Sequence, residues 1–212
     1  MAAMMGSGEQ QMSRTESTMV QLGTIAPAFE LVDVVSGKAL SRDDIFATAG
    51  SESRRGLLVM FVCVHCPYVK QVEAELGRIG HDYLGEDGEG HIAIAAIQSN
   101  DLTEYPQDGP DPMREQAALQ GWNFPYLLDE TQEVARSYEA ACTPDFFLFD
   151  ADLKLVYRGQ LDDSRPRRGD FGNDTPVTGK DLRAALDAVV KGKRPDTNQI
   201  SSIGCNIKWR ES

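Results

Sequence analysis

Short apolar runs alternate along the chain with segments in which apolar positions recur every three or four residues. The run GLLVMFV, residues 56–62, predicts a strand buried on both faces of a sheet. The segment after it has the apolar spacing of an amphipathic helix. Its apolar positions are Val69, Val72, Leu76 and Ile79. HIAIAAIQ, residues 91–98, predicts a second buried strand, so a strand–helix–strand unit forms the start of the main sheet.

The same alternation continues through the second half of the chain. Strands are predicted at 126–129, 145–150 and 154–161, the last two as an antiparallel pair. Helices are predicted at 113–121, 131–140 and 182–192, the last opened by a capping box of Thr178 and Asp181. Residues 99–112 hold three prolines in a polar setting and predict a loop without regular structure. Strands that alternate with helices in this way predict an α/β fold with a mixed central sheet flanked by helices.

Both ends of the chain lack such patterns. Residues 1–20 are rich in Met, Ser, Gly and Gln and predict a disordered tail, and residues 193–212 predict an irregular tail. The domain is therefore expected to span residues 21–192. It begins with a predicted β-hairpin over residues 22–40, whose turn is a Ser-Gly pair.

Composition narrows the class of protein. The 33 acidic and 21 basic residues give a formal charge of −12, which argues against a broad basic surface for nucleic acid or anionic lipid. Neither an apolar stretch of about 18 residues nor the apolar core of a secretory signal occurs. We therefore expect a soluble cytoplasmic protein that binds neither nucleic acid nor a membrane.

The strongest candidate chemistry lies between the first buried strand and its helix, in the stretch FVCVHCPYVK, residues 61–70. Pro67 suits the first position of a helix, which makes Cys66 the expected N-cap. Backbone N–H groups and the helix dipole favour a thiolate there, and such settings lower a cysteine pKa from about 8.5 into the range of roughly 3.5–7.5. Cys66 is therefore the predicted nucleophile.

Two neighbours of Cys66 are assigned roles from their positions. Cys63, three residues earlier in a tight turn, is placed to attack a mixed disulfide or a sulfenic acid on Cys66, which is a resolving role. His65 has two open interpretations: it adds positive charge or moves a proton, or it is a spacer. The alternative for both cysteines is that they are small core residues, but Pro67 argues against this for Cys66.

Three stretches resemble the thioredoxin-fold superfamily and, within it, the peroxiredoxin-like AhpC/TSA-type redoxins. They are GTIAPAFELVDVVSGKAL, FVCVHCPYVK and ACTPDFFLFD. SNDLTEYP, FPYLLDETQEVA and SIGCNIKW further resemble an uncharacterised subgroup of these proteins. The resemblance implies a thioredoxin-like fold and a cis peptide bond before Pro144. It also implies a substrate groove beside the thiols, to which we assign Thr143, Pro144, His65 and Tyr68.

The chain departs from the motifs of both kinds of relative. A thioredoxin carries Cys-Gly-Pro-Cys, and counting from Phe61 places its first cysteine at Cys66 and its second at Val69. A peroxiredoxin carries Pro-x-x-x-Thr-x-x-Cys and a distant arginine, which polarise the peroxide. Cys63 stands at the threonine position and Pro144 at the arginine position, so both peroxide-activating side chains are replaced.

The remaining cysteines, Cys142 and Cys205, have three open interpretations. One of them is an additional resolving thiol that passes a disulfide outward. Alternatively, all four thiols, with His65, bind zinc, copper or an iron–sulfur cluster, although these two cysteines lack the close pairing typical of metal ligands. In the third interpretation Cys142 is a core residue and Cys205 an idle thiol in the tail.

These features predict a thiol–disulfide oxidoreductase in which Cys66 attacks a substrate disulfide and Cys63 resolves the mixed disulfide. The expected partners are a disulfide-bearing protein or a small-molecule thiol or peroxide, together with an external thiol reductant. No bound cofactor or metal is expected. The alternatives are a peroxiredoxin-like antioxidant enzyme acting through Cys66 and a thiol-ligated metal-binding protein.

Overall fold

A seven-stranded mixed sheet forms the centre of the molecule, in a computed structural model that describes residues 14–47, 54–85, 90–167 and 172–211. The strands are, in chain order, β1 Arg14–Glu16, β2 Glu30–Asp33, β3 Ala39–Ser41, β4 Gly56–Phe61, β5 Ile92–Gln98, β6 Tyr126–Leu128, β7 Cys142–Thr143, β8 Asp145–Asp150, β9 Leu155–Tyr157 and β10 Ile203–Asn206. The central sheet has the order β3-β2-β6-β5-β4-β8-β9. β4, β5 and β6 run parallel and the other pairs are antiparallel, which confirms the predicted mixed α/β sheet.

Helices cover both faces of this sheet, so β4 and β5 are buried along their whole length. The helices are α1 Arg42–Ala47, α2 Pro67–Ile79, α3 Pro110–Gln120, α4 Glu133–Ser137 and α5 Lys180–Val190. Leu58 of β4 packs in one cluster with α2, α3 and α5, whereas Leu57 packs in the other with α1 and α4. Full burial of such a side chain contributes about 1.5–3 kcal/mol. β4 is therefore a firm support for the cysteine segment that follows it.

Most predicted elements are confirmed. The N-terminal hairpin consists of β2 and β3, and the predicted antiparallel pair consists of β8 and β9. α2 begins at Pro67 as predicted and continues beyond Ile79 as a π-helical turn over Gly80–Leu84. Within the described ranges, no helix combines the length and the apolar character needed to cross a membrane.

The predicted loop at 99–112 is only partly irregular. It contains a 3-10 turn over Pro106–Asp108, and α3 begins at Pro110 rather than near Met113. The helix starts earlier because proline is well accepted in a first helical turn, where its missing N–H has no partner to lose.

Two further helix boundaries differ from prediction. α4 begins at Glu133 rather than 131, because Gln132 before it has a left-handed backbone conformation with a φ of 63°. α5 begins at Lys180, and its N-cap is Gly179 rather than the predicted Thr178. In both helices the N-cap residue has a left-handed backbone conformation, which the spacing of apolar residues does not reveal.

A second, three-stranded sheet joins the two ends of the chain. Its order is β1-β10-β7, and both pairs are antiparallel. The prediction of an irregular tail at 193–212 is therefore wrong for β10. In the predicted N-terminal tail, residues 1–13 lie outside the described residues, and the described part begins with β1. Both strands are short and of mixed polarity. They form because partner strands are available, which the sequence pattern does not reveal.

Gly204 is the residue that allows β10 to lie against β7. A methyl group at this position would overlap the Thr143 carbonyl oxygen. We expect Gly204→Ala to lower the free energy of unfolding by about 3 kcal/mol, since the overlap is with backbone and not with a flexible side chain. Urea denaturation measures the loss.

Gly192→Ala is the control for this prediction. It adds a methyl group at a φ of 66° with no atom within 4 Å, so it tests backbone strain without overlap. We expect a loss of about 1 kcal/mol. Equal losses in the two variants would contradict the contact assigned to Gly204.

Candidate active site

The cysteine segment leaves β4 and turns directly into α2. Cys66 is the N-cap of α2, with Pro67 at the start of the helix, as the sequence predicted. Its backbone is extended, with a φ of −68° and a ψ of 124°. The side chain is fully buried in the cluster beneath α2. Its sulfur therefore lies at the positive end of the helix dipole and away from water.

Three sulfur atoms meet at this point. The thiols of Cys63 and Cys205 both lie close enough to the Cys66 sulfur to lower the pKa of Cys66 as hydrogen-bond donors. Cys63 lies in the same turn, whereas Cys205 arrives on β10 near the other end of the chain. All three side chains are at most 2% exposed. The structure thus brings together both predicted catalytic cysteines and one of the two additional thiols.

These contacts determine which sulfur carries charge. Burial acts to raise the pKa of the Cys66 thiol, but hydrogen bonds from Cys205 and Cys63 outweigh it and hold that pKa well below its ordinary value. The Thr143 hydroxyl and the Val69 backbone N–H also lower the pKa of Cys66. The Cys66 side chain makes no capping hydrogen bond to α2. Cys66 is therefore the thiol of the cluster that ionises first.

The other two thiols of the cluster stay protonated. Burial and the hydrogen bond to Cys66 raise the pKa of the Cys63 thiol. The hydrogen bond to Cys66, together with burial, raises the pKa of the Cys205 thiol. Because one ionised sulfur suppresses ionisation of its neighbours, the cluster holds a single negative charge. A thiolate in contact with two thiols is an arrangement suited to thiol–disulfide exchange.

The Thr143–Pro144 peptide bond faces this cluster and is cis, as the family resemblance implied. The Cys66 sulfur lies 3.1 Å from the Thr143 carbonyl oxygen, and the Cys63 sulfur lies 3.4 Å from the Thr143 hydroxyl oxygen. In its thiol form Cys66 donates to that carbonyl, so the carbonyl partly offsets the groups that favour the thiolate. Thr143 thus contacts both cysteines of the segment.

A small pocket beside α2 includes two of the four side chains assigned to a substrate groove. Tyr68 and Pro144 border it together with Ile203 of β10. Thr143 is instead buried beneath β10, and His65 lies against the 99–112 loop. The groove stays a prediction, which these positions narrow to Tyr68 and Pro144.

A buried carboxylate holds the cysteine segment in place from the 99–112 loop. Asp108 accepts hydrogen bonds from the backbone N–H groups of Val64 and His65, at 2.9 and 3.0 Å. Its second oxygen accepts one from Nδ1 of His65 at 2.6 Å and one from an asparagine amide at 2.8 Å. The His65 ring also stacks on Tyr105, with ring centroids 5.4 Å apart. The loop therefore fixes the turn between Cys63 and Cys66.

The same carboxylate bears on the metal-binding alternative. Cys63, His65 and Asp108 offer possible ligand atoms within 4.8 Å of one another. However, each Asp108 oxygen already accepts two hydrogen bonds, one of them from the His65 ring. These residues fit a hydrogen-bonded anchor better than a metal centre. Asp108 was not found from the sequence, because an aspartate in a polar loop carries no distinguishing signal.

Cys142 has a different environment from Cys205. Its side chain is fully buried, and its thiol donates a hydrogen bond to the Pro144 carbonyl oxygen at 3.6 Å. Burial and the nearby Asp145 carboxyl raise the pKa of this thiol. Cys142 thus occupies a core position whose hydrogen bond is directed to the backbone.

Asp145, directly after the cis peptide bond, is a second buried acid that the sequence did not single out. Burial raises the pKa of its carboxyl to about 7, although hydrogen bonds, including one from the Ala141 amide at 3.2 Å, oppose the shift. The folded protein therefore holds a proton on Asp145 that the unfolded chain releases near pH 4.

Asp145 should make the stability of the protein depend on pH. Below about pH 4 the carboxyl is protonated in both states, so its full contribution is present. Between about pH 4 and 7 we expect the free energy of unfolding to fall as pH rises, by at most about 4 kcal/mol. Asp145→Asn stays neutral and should lose this decline, as measured by urea denaturation across that range.

The exposed Asp152 provides the control for this pH dependence. Asp152→Asn should follow the wild-type decline, since it also replaces an aspartate by asparagine but leaves the buried Asp145 carboxyl in place. Parallel curves for wild type and Asp145→Asn would contradict the assignment to Asp145.

Asp108→Ala should destabilise the turn that carries the thiols. It leaves two partly buried backbone N–H groups without their acceptor, so we expect the free energy of unfolding to fall by about 2 kcal/mol. Asp108→Asn is the matched variant: its carbonyl oxygen can still accept from Val64 and His65, and it should lose much less. Denaturation of both variants tests this, and equal losses would show that the carboxylate oxygen is not the anchor.

Solved structures with high similarity to this chain include two proteins without an assigned role. An uncharacterized conserved protein from Geobacillus kaustophilus is 48% identical, with a TM-score of 0.84, over 95% of this chain and 98% of that chain. A hypothetical protein from Sinorhizobium meliloti 1021 is 42% identical, with a TM-score of 0.83, over 93% and 100% of the two chains. A search of curated proteins finds no match.

A more distant similarity concerns the fold alone. The thioredoxin domain of a thiol-disulfide oxidoreductase from Bacteroides vulgatus is 17% identical, with a TM-score of 0.51, over 66% of this chain and 88% of that chain. The mixed sheet and the cis proline agree with this likeness and confirm the predicted thioredoxin-like fold.

A family match gives the broader assignment. The sequence profile of the AhpC/TSA family matches residues 22–158, a range that runs from β2 to β9 and includes Cys63 and Cys66. Cys205 and β10 lie outside that range. Because the match covers more than half of the chain, this protein belongs to the AhpC/TSA family of thioredoxin-fold redoxins.

Proposed function

We propose that this protein is a thiol–disulfide oxidoreductase with Cys66 as the nucleophile and Cys63 as the resolving thiol. The observation that carries the proposal is the position of Cys66: it is the N-cap residue of α2, is buried with Cys63 in the same turn, and has its sulfur 3.1 Å from the carbonyl oxygen before the cis proline. The neighbouring thiols lower the pKa of Cys66 in this position. A thiolate attacks a disulfide, and a neighbouring thiol completes the exchange. Membership of the AhpC/TSA family supports redox chemistry at this segment.

In the first step the Cys66 thiolate attacks one sulfur of a substrate disulfide. A Cys66–substrate S–S bond forms, the substrate S–S bond breaks, and the second substrate sulfur leaves as a thiolate that takes a proton from water. Cys63 then loses its proton and attacks the Cys66 sulfur, which releases the first substrate sulfur as a thiol. The substrate gains two electrons, and an external thiol reductant restores the protein dithiol. This need for reduced thiols fits the cytoplasm.

The charge on Cys66 controls when Cys63 reacts. Burial and the hydrogen bond to Cys66 raise the pKa of Cys63, so it stays protonated before the reaction. A mixed disulfide on Cys66 carries no charge, and the repulsion from the thiolate disappears. The Thr143 hydroxyl, 3.4 Å away, then stabilises the Cys63 thiolate.

The burial of the Cys66 sulfur also limits which substrates can react with it. Cys63 and Cys66 are at most 1% exposed, so a substrate reaches Cys66 only after the segments around it separate. The pocket bordered by Tyr68 and Pro144 is the proposed approach, because it lies between the first turn of α2 and the cis proline. We therefore expect small disulfides to react faster than folded proteins.

Peroxide reduction is a second candidate, favoured by the family match. Cys66 would attack a peroxide oxygen and become a sulfenic acid with release of water or an alcohol, and Cys63 would then form the disulfide and release water. Cys63 and Pro144 stand where a peroxiredoxin has the threonine and arginine that polarise the peroxide. Peroxide reduction should therefore be slower than disulfide exchange.

The pH dependence of alkylation tests the nucleophile. Iodoacetamide should modify Cys66 with an apparent pKa well below the free-thiol value of about 8.5, with the modified residue identified by mass spectrometry. Cys66→Ser should abolish reduction of bis(2-hydroxyethyl) disulfide with dithiothreitol as the electron source. Cys142→Ser, at another buried cysteine, should keep the wild-type rate. An ordinary pKa for Cys66, or an active Cys66→Ser variant, would refute the proposal.

A further inference from the structure

The C-terminal strand carries a third thiol into the candidate site. β10 pairs antiparallel with β7, and the register places Cys205 directly opposite Thr143. The Thr143 carbonyl oxygen is the one that lies 3.1 Å from the Cys66 sulfur. Cys205 is 2% exposed, and its thiol forms a hydrogen bond with Cys66. In the proposed reaction of Cys66 with Cys63, Cys205 lowers the pKa of Cys66 but forms no covalent bond.

Hydrogen bonds on both sides of Cys205 hold it in this position. Gly204 lets the backbone of β10 lie directly against β7. Before Cys205, the Ser202 hydroxyl donates to the Pro144 carbonyl oxygen at 2.7 Å. After it, the Ile207 N–H donates at 3.1 Å to the backbone carbonyl that precedes β7. The thiol is therefore a fixed part of the surroundings of the cis peptide bond.

The segment after β10 is also tied to the loop that holds Asp108. The Lys208 N–H donates to the Asn100 side chain at 2.8 Å. The Lys208 carbonyl oxygen accepts hydrogen bonds from the Asp101 N–H and from the Gln132 side chain, each at 2.8 Å. The same loop thus positions the turn that carries Cys63 and the strand that carries Cys205.

The nearby Cys142 shows that burial beside Cys66 is not enough to make such a contact. Cys142 lies next to Thr143 in β7 and is as buried as Cys66. Its thiol, however, donates to the Pro144 carbonyl oxygen, whereas the Cys205 thiol bonds to the Cys66 sulfur. The geometry therefore selects Cys205 as the partner.

We propose that Cys205 is a second disulfide partner of Cys66, and that the oxidised protein transfers its disulfide from Cys63–Cys66 to Cys66–Cys205. This inference rests on the proposed function. Cys205 gives up its proton and attacks the Cys66 sulfur, the Cys66–Cys205 bond forms as the Cys63–Cys66 bond breaks, and Cys63 leaves with the electron pair and takes up the proton. The number of disulfides is unchanged, so no oxidant or reductant enters this step.

The transfer changes what the disulfide connects. A Cys63–Cys66 bond closes one short turn, whereas a Cys66–Cys205 bond ties β10 to the start of α2. Because β10 covers Thr143, the second form keeps the site closed until a reductant opens it. The same attack by Cys205 also resolves a mixed disulfide on Cys66 when Cys63 is replaced.

Trapping with glutathione disulfide tests the proposal in the full-length protein, with non-reducing peptide mapping by mass spectrometry as the readout. Cys63→Ser is expected to form a Cys66–Cys205 disulfide and to retain little glutathione. Cys63→Ser/Cys205→Ser lacks both partners and is expected to retain at least about tenfold more glutathione on Cys66. Cys63→Ser/Cys142→Ser is the matched control and should behave as Cys63→Ser does.

The outcomes separate this inference from the proposed function. Equal retention of glutathione by Cys63→Ser and by Cys63→Ser/Cys205→Ser would overturn the role of Cys205 and leave Cys66 as the nucleophile. A double variant that takes up no glutathione on Cys66 would overturn the proposed function and this inference with it. Oxidised wild-type protein needs no substitution and should contain both disulfides; Cys63–Cys66 alone would overturn the transfer.

Discussion

In the proposed reaction, a single negative charge among three buried sulfur atoms determines the order of the chemical steps. The charge rests on Cys66 because the thiols of Cys205 and Cys63, acting as hydrogen-bond donors, hold the pKa of this N-cap residue well below its ordinary value. While it is there, Cys63 and Cys205 stay protonated; once Cys66 has reacted, either one can ionise. The sequence of chemical steps therefore follows from electrostatics within one cluster, without a change of fold.

Three segments of the fold hold this cluster together. β4, buried on both faces, ends where the cysteine segment begins. The cis peptide bond before β8 brings Thr143 against the sulfurs of both cysteines in that segment. Asp108, in the 99–112 loop, holds the turn between Cys63 and Cys66 by accepting hydrogen bonds from two of its backbone N–H groups. Because sulfur exchange requires close contact, rigid support of this kind matters more than the depth of any pocket.

Local sequence was enough to predict the parts of this arrangement that depend on neighbouring residues. Apolar runs indicated β4 and β5, and Pro67 indicated that Cys66 caps a helix; the cis peptide bond followed from the family resemblance. Asp108 and Asp145 were missed because their roles depend on distant contacts: Asp108 lies 43 residues from His65 along the chain. β10 was missed because it is short and of mixed polarity and pairs only with β1 and β7.

Cys63 stands where the peroxiredoxin motif has a threonine, and this difference changes the chemistry available. A hydroxyl at that position donates a hydrogen bond to the nucleophile and to a peroxide, but it cannot form a disulfide. A thiol donates a weaker hydrogen bond and, after Cys66 has reacted, supplies the sulfur that completes the exchange. The Thr143 hydroxyl lies 3.4 Å from this second sulfur, where it supports the leaving or attacking thiolate. The replacement is therefore the reason why we propose disulfide exchange rather than peroxide activation for this member of the family.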